Sequence, residues 1–118
     1  MQFFAAEFEK LAAYRGLLQA RKDGASPVSF TGVSQIHKAH LLAALCVEQA
    51  PILAVTAEEA EARRLCDDIN AMLDEPAAWM FPAKELVLTP VEGITTAYEH
   101  ARIAALTALR RGQCRVVA

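Results

Sequence analysis

The stretch Pro27-Val28-Ser29-Phe30-Thr31 followed by Gly32-Val33-Ser34-Gln35-Ile36-His37-Lys38-Ala39 sets a β-prone run, a glycine turn and a helix start in immediate succession. Leu41, Leu42, Leu45 and Cys46 then recur at helical spacing up to Gln49, so the spacing predicts strand, turn and helix. The turn has the outline of a phosphate loop, G-x-x-x-x-G-K-[ST], whose parts have separate chemical duties. Gly32 supplies the first glycine and Lys38 the cation that would reach the β- and γ-phosphates. His37 stands at the second glycine position, where a side chain opposes the left-handed backbone and the close approach to phosphate. Ala39 stands at the hydroxyl position, and a methyl group cannot ligate magnesium, so phosphoryl transfer would lack its metal clamp. No apolar run ending in Asp-Glu supplies a second acidic metal site. The reading is a degenerate phosphate loop in which Gly32 permits the turn, Ser34 caps the helix and Lys38 is solvated. Weak anion binding at Lys38 and the helix amino-terminus is the alternative.

Outward from this loop the strand-helix alternation continues. Before it, Phe4, Phe8, Leu11, Tyr14 and Leu18 predict one amphipathic helix that ends at Asp23-Gly24. After it, Ile52-Leu53-Ala54-Val55-Thr56 reads as a strand, and Ala57 to Leu73 as a helix burying Ala62, Leu65, Cys66, Ile69 and Met72-Leu73. Thr56 is the expected cap of that helix, with Glu58, Glu59 and Glu61 near its positive end. Ala78-Trp79-Met80-Phe81 predicts a further strand. A connection from Pro82 to Gly93 leads to a helix from Thr95 or Thr96 to Arg111, with Tyr98, Arg102, Ala105 and Leu109 on one face and Gly112 ending it. Cys114 to Ala118 reads as a last strand that stops without a following helix. This order predicts a single α/β domain over 1–118: an open, mainly parallel sheet with flanking helices, an amino-terminal helix first, and the chain a piece of a longer protein.

Composition narrows the classes. With 54% hydrophobic and 22% charged residues the 118-residue chain can build a core, and 12 basic against 14 acidic residues are interspersed. Direct DNA binding, which calls for a concentrated basic face, is not expected. Cys46, Cys66 and Cys114 lie in apolar runs and read as buried thiols in a reducing compartment. The start Met1-Gln2-Phe3-Phe4 has no basic segment before an apolar one, and no run is long enough to span a membrane, so a cytoplasmic protein is expected.

Spacing also decides three other groupings. His37 and His40 are three apart but lack an evident third ligand for a metal. Glu99 and His100 are adjacent on a helix, so they point apart and read as a solvated face. Trp79, Met80 and Phe81 fit strand packing better than a stacking platform for bases. The Pro82 to Gly93 connection follows a strand's carboxyl end and is expected to serve domain contacts, with Glu85 pairing Arg102.

Taken in order, several blocks resemble the amino-terminal domain of the bacterial transcription-repair coupling factors, which is similar to the first domain of the excision-repair helicase UvrB. They are Ser26-Pro27-Val28, Thr31-Gly32-Val33-Ser34, Lys38-Ala39-His40-Leu41, Pro51 to Thr56 with Glu58-Glu59, Phe81-Pro82-Ala83-Lys84-Glu85-Leu86, Arg102 to Leu106, and Arg115 to Ala118. The resemblance implies a phosphate-loop NTPase-like fold that has lost its nucleotide site, so that this segment is not an enzyme and holds no cofactor. It implies a parent protein whose separate translocase region uses ATP and magnesium on duplex DNA, displaces stalled RNA polymerase and recruits UvrA. The segment itself would contact other domains of the same chain. A nucleotide-binding or hydrolysing domain is the alternative.

Overall fold

A computed structural model describes residues 2–48, 51–83 and 94–118. Among these residues five helices and three short strands follow one another: α1 (Gln2–Glu9), α2 (Ala12–Lys22), α3 (Gln35–Glu48), β1 (Ile52–Leu53), α4 (Glu59–Leu73), β2 (Ala78–Trp79), α5 (Ile94–Arg110) and β3 (Val116–Val117). The strands form one parallel sheet in the order β1-β3-β2, with Ile52 and Ala78 both in register with Val116, and Leu53 and Trp79 with Val117. The α/β arrangement expected from the alternating pattern is therefore present on a small scale.

The core lies between α3, α4 and one face of the sheet. Ala62, Leu65, Cys66, Ile69 and Leu73 are the buried residues of α4, at the spacing of one helical stripe. Leu65, Cys66, Ile69 and Leu73 meet Ala39, Ala43 and Cys46 of α3 and Ala78 and Val116 of the sheet. Besides Cys46, buried as its spacing predicts, the deepest positions of α3 are alanines rather than leucines. Small side chains let the two helix backbones approach, while Leu42 packs at the edge of this cluster. Leu41 and Leu45 turn toward a second cluster formed by Phe8, Tyr14 and Ala44.

Four local expectations are corrected. The amino-terminal segment is two helices, broken where Leu11 takes an extended backbone at φ −79° and ψ 124°. A continuous helix would point Phe8 and Tyr14 about 120° apart. The break brings both rings against α3, 5.6 Å from each other in an edge-to-face pair. Residues 27–31 are not a strand; they run from a cis Ser26-Pro27 bond to Gly32 without joining the sheet. The β1, β2 and β3 segments are two residues each, shorter than the runs 52–56, 78–81 and 114–118. Finally, α4 begins at Glu59 and not Ala57, and Thr56 does not cap it: the Thr56 hydroxyl donates to the Glu58 carbonyl at 3.1 Å.

The carboxyl end of α5 follows its sequence signal, and that of α4 is set by an aspartate. Asp74 closes α4 in the left-handed region at φ 54°, a conformation aspartate tolerates better than most side chains. Gly112 follows α5 at φ 70°. Cys46, Cys66 and Cys114 are all buried and free of disulfides, as expected. Burial pushes all three thiols up, Cys66 to about 11, so they sit as neutral thiols rather than nucleophiles. No described helix is long and apolar enough to cross a membrane.

Candidate functional site

The carboxyl ends of parallel strands are where α/β sheets ordinarily receive ligands, and two open cavities meet there. One, about 420 Å³, lies between the degenerate loop and α4, with Phe30, Gly32, Val33, Lys38, Thr56 and Glu61 on its walls. The other, about 470 Å³, lies between α4 and α5 beside Val55, Glu58, Glu59, Phe81 and Arg102. Ala54, Val55 and Thr56, just past β1, line both. The sheet therefore brings together Gly32, Lys38 and Arg102 around one strand end, although they are distant in sequence.

Each loop residue has a definite place. Gly32 adopts φ 76°, a left-handed turn that glycine accommodates without strain. Ser34 precedes α3, but its hydroxyl lies 2.9 Å from His37 Nδ1, so the pair closes on itself at the helix start. His37 is exposed where a phosphate cradle would need bare backbone. Ala39 is fully buried against α4 and the sheet, so its position faces the core rather than the cavity. Lys38 is not simply solvated: its ammonium meets the Glu61 carboxylate of α4 at 3.4 Å.

Electrostatics at the cavities oppose a polyphosphate. Glu59 and Glu61 occupy the first turn of α4 and Glu58 its cap position, so carboxylates already complement the positive end of the helix dipole. Glu59 is further tied to Arg63 at 3.2 Å and accepts from the Tyr98 hydroxyl at 3.4 Å. Arg102 lies over the Phe81 ring, 4.5 Å from its centroid, and donates to the Pro82 carbonyl at 3.4 Å. This cation-aromatic stack fixes the guanidinium at the mouth of the second cavity. The expected partner Glu85 lies outside the described residues, as do Lys84, Glu92 and Gly93.

The remaining candidates separate. His37 is exposed, whereas His40 is half-buried with its ring 4.3 Å from that of Phe8, so the two histidines serve different surroundings. Among the described residues, no three His, Cys, Asp or Glu side chains are grouped as a metal site would need. Glu99 and His100 are both exposed. Trp79 donates from its ring nitrogen to the Pro76 carbonyl at 3.3 Å, and Phe81 is taken up by Arg102.

Two residues were not found by sequence reasoning. Glu61 was assigned only to the helix dipole, because a partner 23 residues from Lys38 leaves no local pattern. Asn70 was overlooked although a polar side chain beside buried Ile69 is a signal of side-chain to backbone bonding. Its carboxamide accepts from the Ala77 and Ala78 amides at 2.8 and 2.7 Å and donates to the Ala78 carbonyl at 3.0 Å. No protein-family profile, no curated protein and no solved structure matches this chain.

Proposed function

We propose that this chain is a non-catalytic scaffolding and interaction domain of a transcription-repair coupling factor, derived from a nucleotide-binding ancestor and kept for its shape. The observation that carries the non-catalytic part is the condition of the loop: Ala39 is core, and Lys38 is neutralised by Glu61. A magnesium-nucleotide would find neither the hydroxyl ligand nor a free cation, and at the loop's cavity would face the Glu61 carboxylate. The coupling-factor part is supported by the ordered blocks from Ser26 to Ala118. In this reading the domain is cytoplasmic and uses no cofactor. ATP and magnesium serve a separate translocase region that acts on duplex DNA and stalled RNA polymerase, and UvrA is recruited by a neighbouring domain. The Arg102 end of the second cavity contacts other domains of the same chain.

Calorimetric titration with ATP and magnesium is the direct test. No heat of binding is expected, and micromolar magnesium-dependent affinity would overturn the non-catalytic assignment in favour of a nucleotide-binding domain. The coupling-factor assignment is tested on the gene: helicase motifs are expected downstream in the same reading frame, and a frame that closes without them removes it.

A further inference from the structure

The Lys38 to Glu61 contact differs from the helix-surface pairs Glu7 to Lys10 and Glu59 to Arg63, which join neighbours three and four residues apart. It joins two elements across the mouth of the 420 Å³ cavity, with Glu61 more enclosed than Lys38, at 29% against 52% side-chain exposure. We propose that Glu61 is an internal stand-in for a phosphate: its carboxylate occupies the lysine that the loop would offer to an oxyanion, and so holds the cavity shut to anions. This inference rests on the non-catalytic reading above and gives that reading an added cause, a carboxylate contributed by α4.

Three observations converge on it. Gly32 keeps a left-handed turn at the head of the loop, where it lines the cavity. Lys38 lies in the first turn of α3 with its amide bonded to the Ser34 carbonyl at 2.9 Å, so the ammonium is presented at the start of a helix and beside the cavity. The Glu61 carboxylate both pairs that ammonium and places a negative charge where an incoming phosphate oxygen would sit. Removing one carboxylate therefore relieves a competitor and a repulsion together. Charges in partial contact with water interact weakly enough that the gain is roughly tenfold in affinity rather than thousands.

The test uses chain 1–118 at low ionic strength, where screening is least. Inorganic phosphate is titrated while the amide resonances of Gly32 to Lys38 are followed. The wild-type chain is expected to show weak, unsaturated shifts, and Glu61→Gln to bind roughly tenfold tighter. Lys38→Ala combined with Glu61→Gln should return to the wild-type response. Glu59→Gln, which removes the same charge from the same helix turn but lines the other cavity, should change affinity less than about twofold. Glu61→Ala, with the strongest helix former at that position, repeats the measurement should the glutamine variant lose helical structure. The latch is wrong if Glu61→Gln and Glu61→Ala stay within about twofold of wild type, if Glu59→Gln gains as much, or if the gain survives loss of Lys38. Tight magnesium-nucleotide binding by the wild-type chain would instead remove the underlying reading, a result distinct from an unresponsive Glu61 variant.

Discussion

Two turns flank the same core and are built on opposite plans. The turn from Asp74 to Ala78, which returns α4 to the sheet, is gripped by a side chain: Asn70 holds two backbone amides and one carbonyl, all partly buried. The turn from Thr31 to Ser34, which leads into α3, is held by the backbone freedom of Gly32 and by an exposed Ser34 to His37 contact. The first turn is needed to register β2 beside β3. The second is a glycine-permitted turn whose side-chain contact is exposed. The turn that returns a helix to the sheet encloses its hydrogen bonds in part, and the turn whose preceding run joins no strand keeps its side-chain contact near the solvent.

The largest expected effect breaks the first turn. Asn70→Ala would leave the Ala78 amide and carbonyl without their side-chain partner, while the Ala77 amide keeps the Glu75 carbonyl at 2.8 Å, at a cost of about 2–3 kcal/mol by urea unfolding. Asn70→Asp keeps an acceptor for the two amides but loses the donor to Ala78, and should cost less than alanine. Equal loss in both variants would show that the amide bonds carry no weight.

The next effect belongs to the buried side of the molecule. Burial and then the nearby Asp67 raise the Cys66 thiol from 9.0 to about 11. A group whose folded pKa is raised leaves stability intact below its unfolded value and withdraws it as pH climbs through the folded one. Stability should therefore fall between pH 9 and about 11, by about 2 kcal/mol. Tyr14, raised by burial first and then by Glu48 to about 12, adds a further loss beginning near pH 10. Cys66→Ala should flatten the first part of the curve in pH-dependent denaturation, and an unchanged slope would exclude the thiol as its source.

Smaller again is the attempt to rebuild the loop's lettering. Ala39→Ser restores the hydroxyl in name, but position 39 is fully enclosed by core residues, so the hydroxyl is buried instead of offered to a metal. About 1–2 kcal/mol of stability should be lost and no magnesium-ATP affinity gained, even when combined with His37→Gly. Calorimetry on the double variant decides it.

The helical part of the fold was legible because α4 carries a clean 3.6-residue stripe, from Ala62 through Leu73, that needs no knowledge of its partner. The break at Leu11 was not, since the stripe of Phe4, Phe8, Leu11 and Leu18 continues through it and only the position of α3 decides where Phe8 and Tyr14 must point. Residues 27–31 look β-prone, yet a strand is defined by its neighbour, and the run finds none in the sheet. At the site, His37 and Ala39 could be judged from chemistry alone at their own positions. The partners Glu61 and Asn70 are tertiary facts: one ion pair spans 23 residues, and three hydrogen bonds tie a helix to the strand that follows it.

The smallest effect probes Gly32 itself. A Cβ added there would meet nothing within 4 Å, so crowding cannot oppose a side chain. The backbone angle of 76° remains, and an L-residue held in that region loses about 1 kcal/mol relative to glycine. Gly32→Ala should therefore destabilise by about that amount, while Gly32→Asn, which tolerates the left-handed region, should cost less. Both variants should leave unfolding cooperative, because the Asn70 turn and the α3 to α4 core are untouched. If alanine instead costs nothing, the loop has relaxed to another conformation, and nuclear Overhauser contacts between residues 32 and 34 would show it. In that case the left-handed bend at Gly32 is not maintained by the fold, and the contrast between the two turns becomes sharper: one is imposed by partly buried hydrogen bonds, the other only permitted by a glycine.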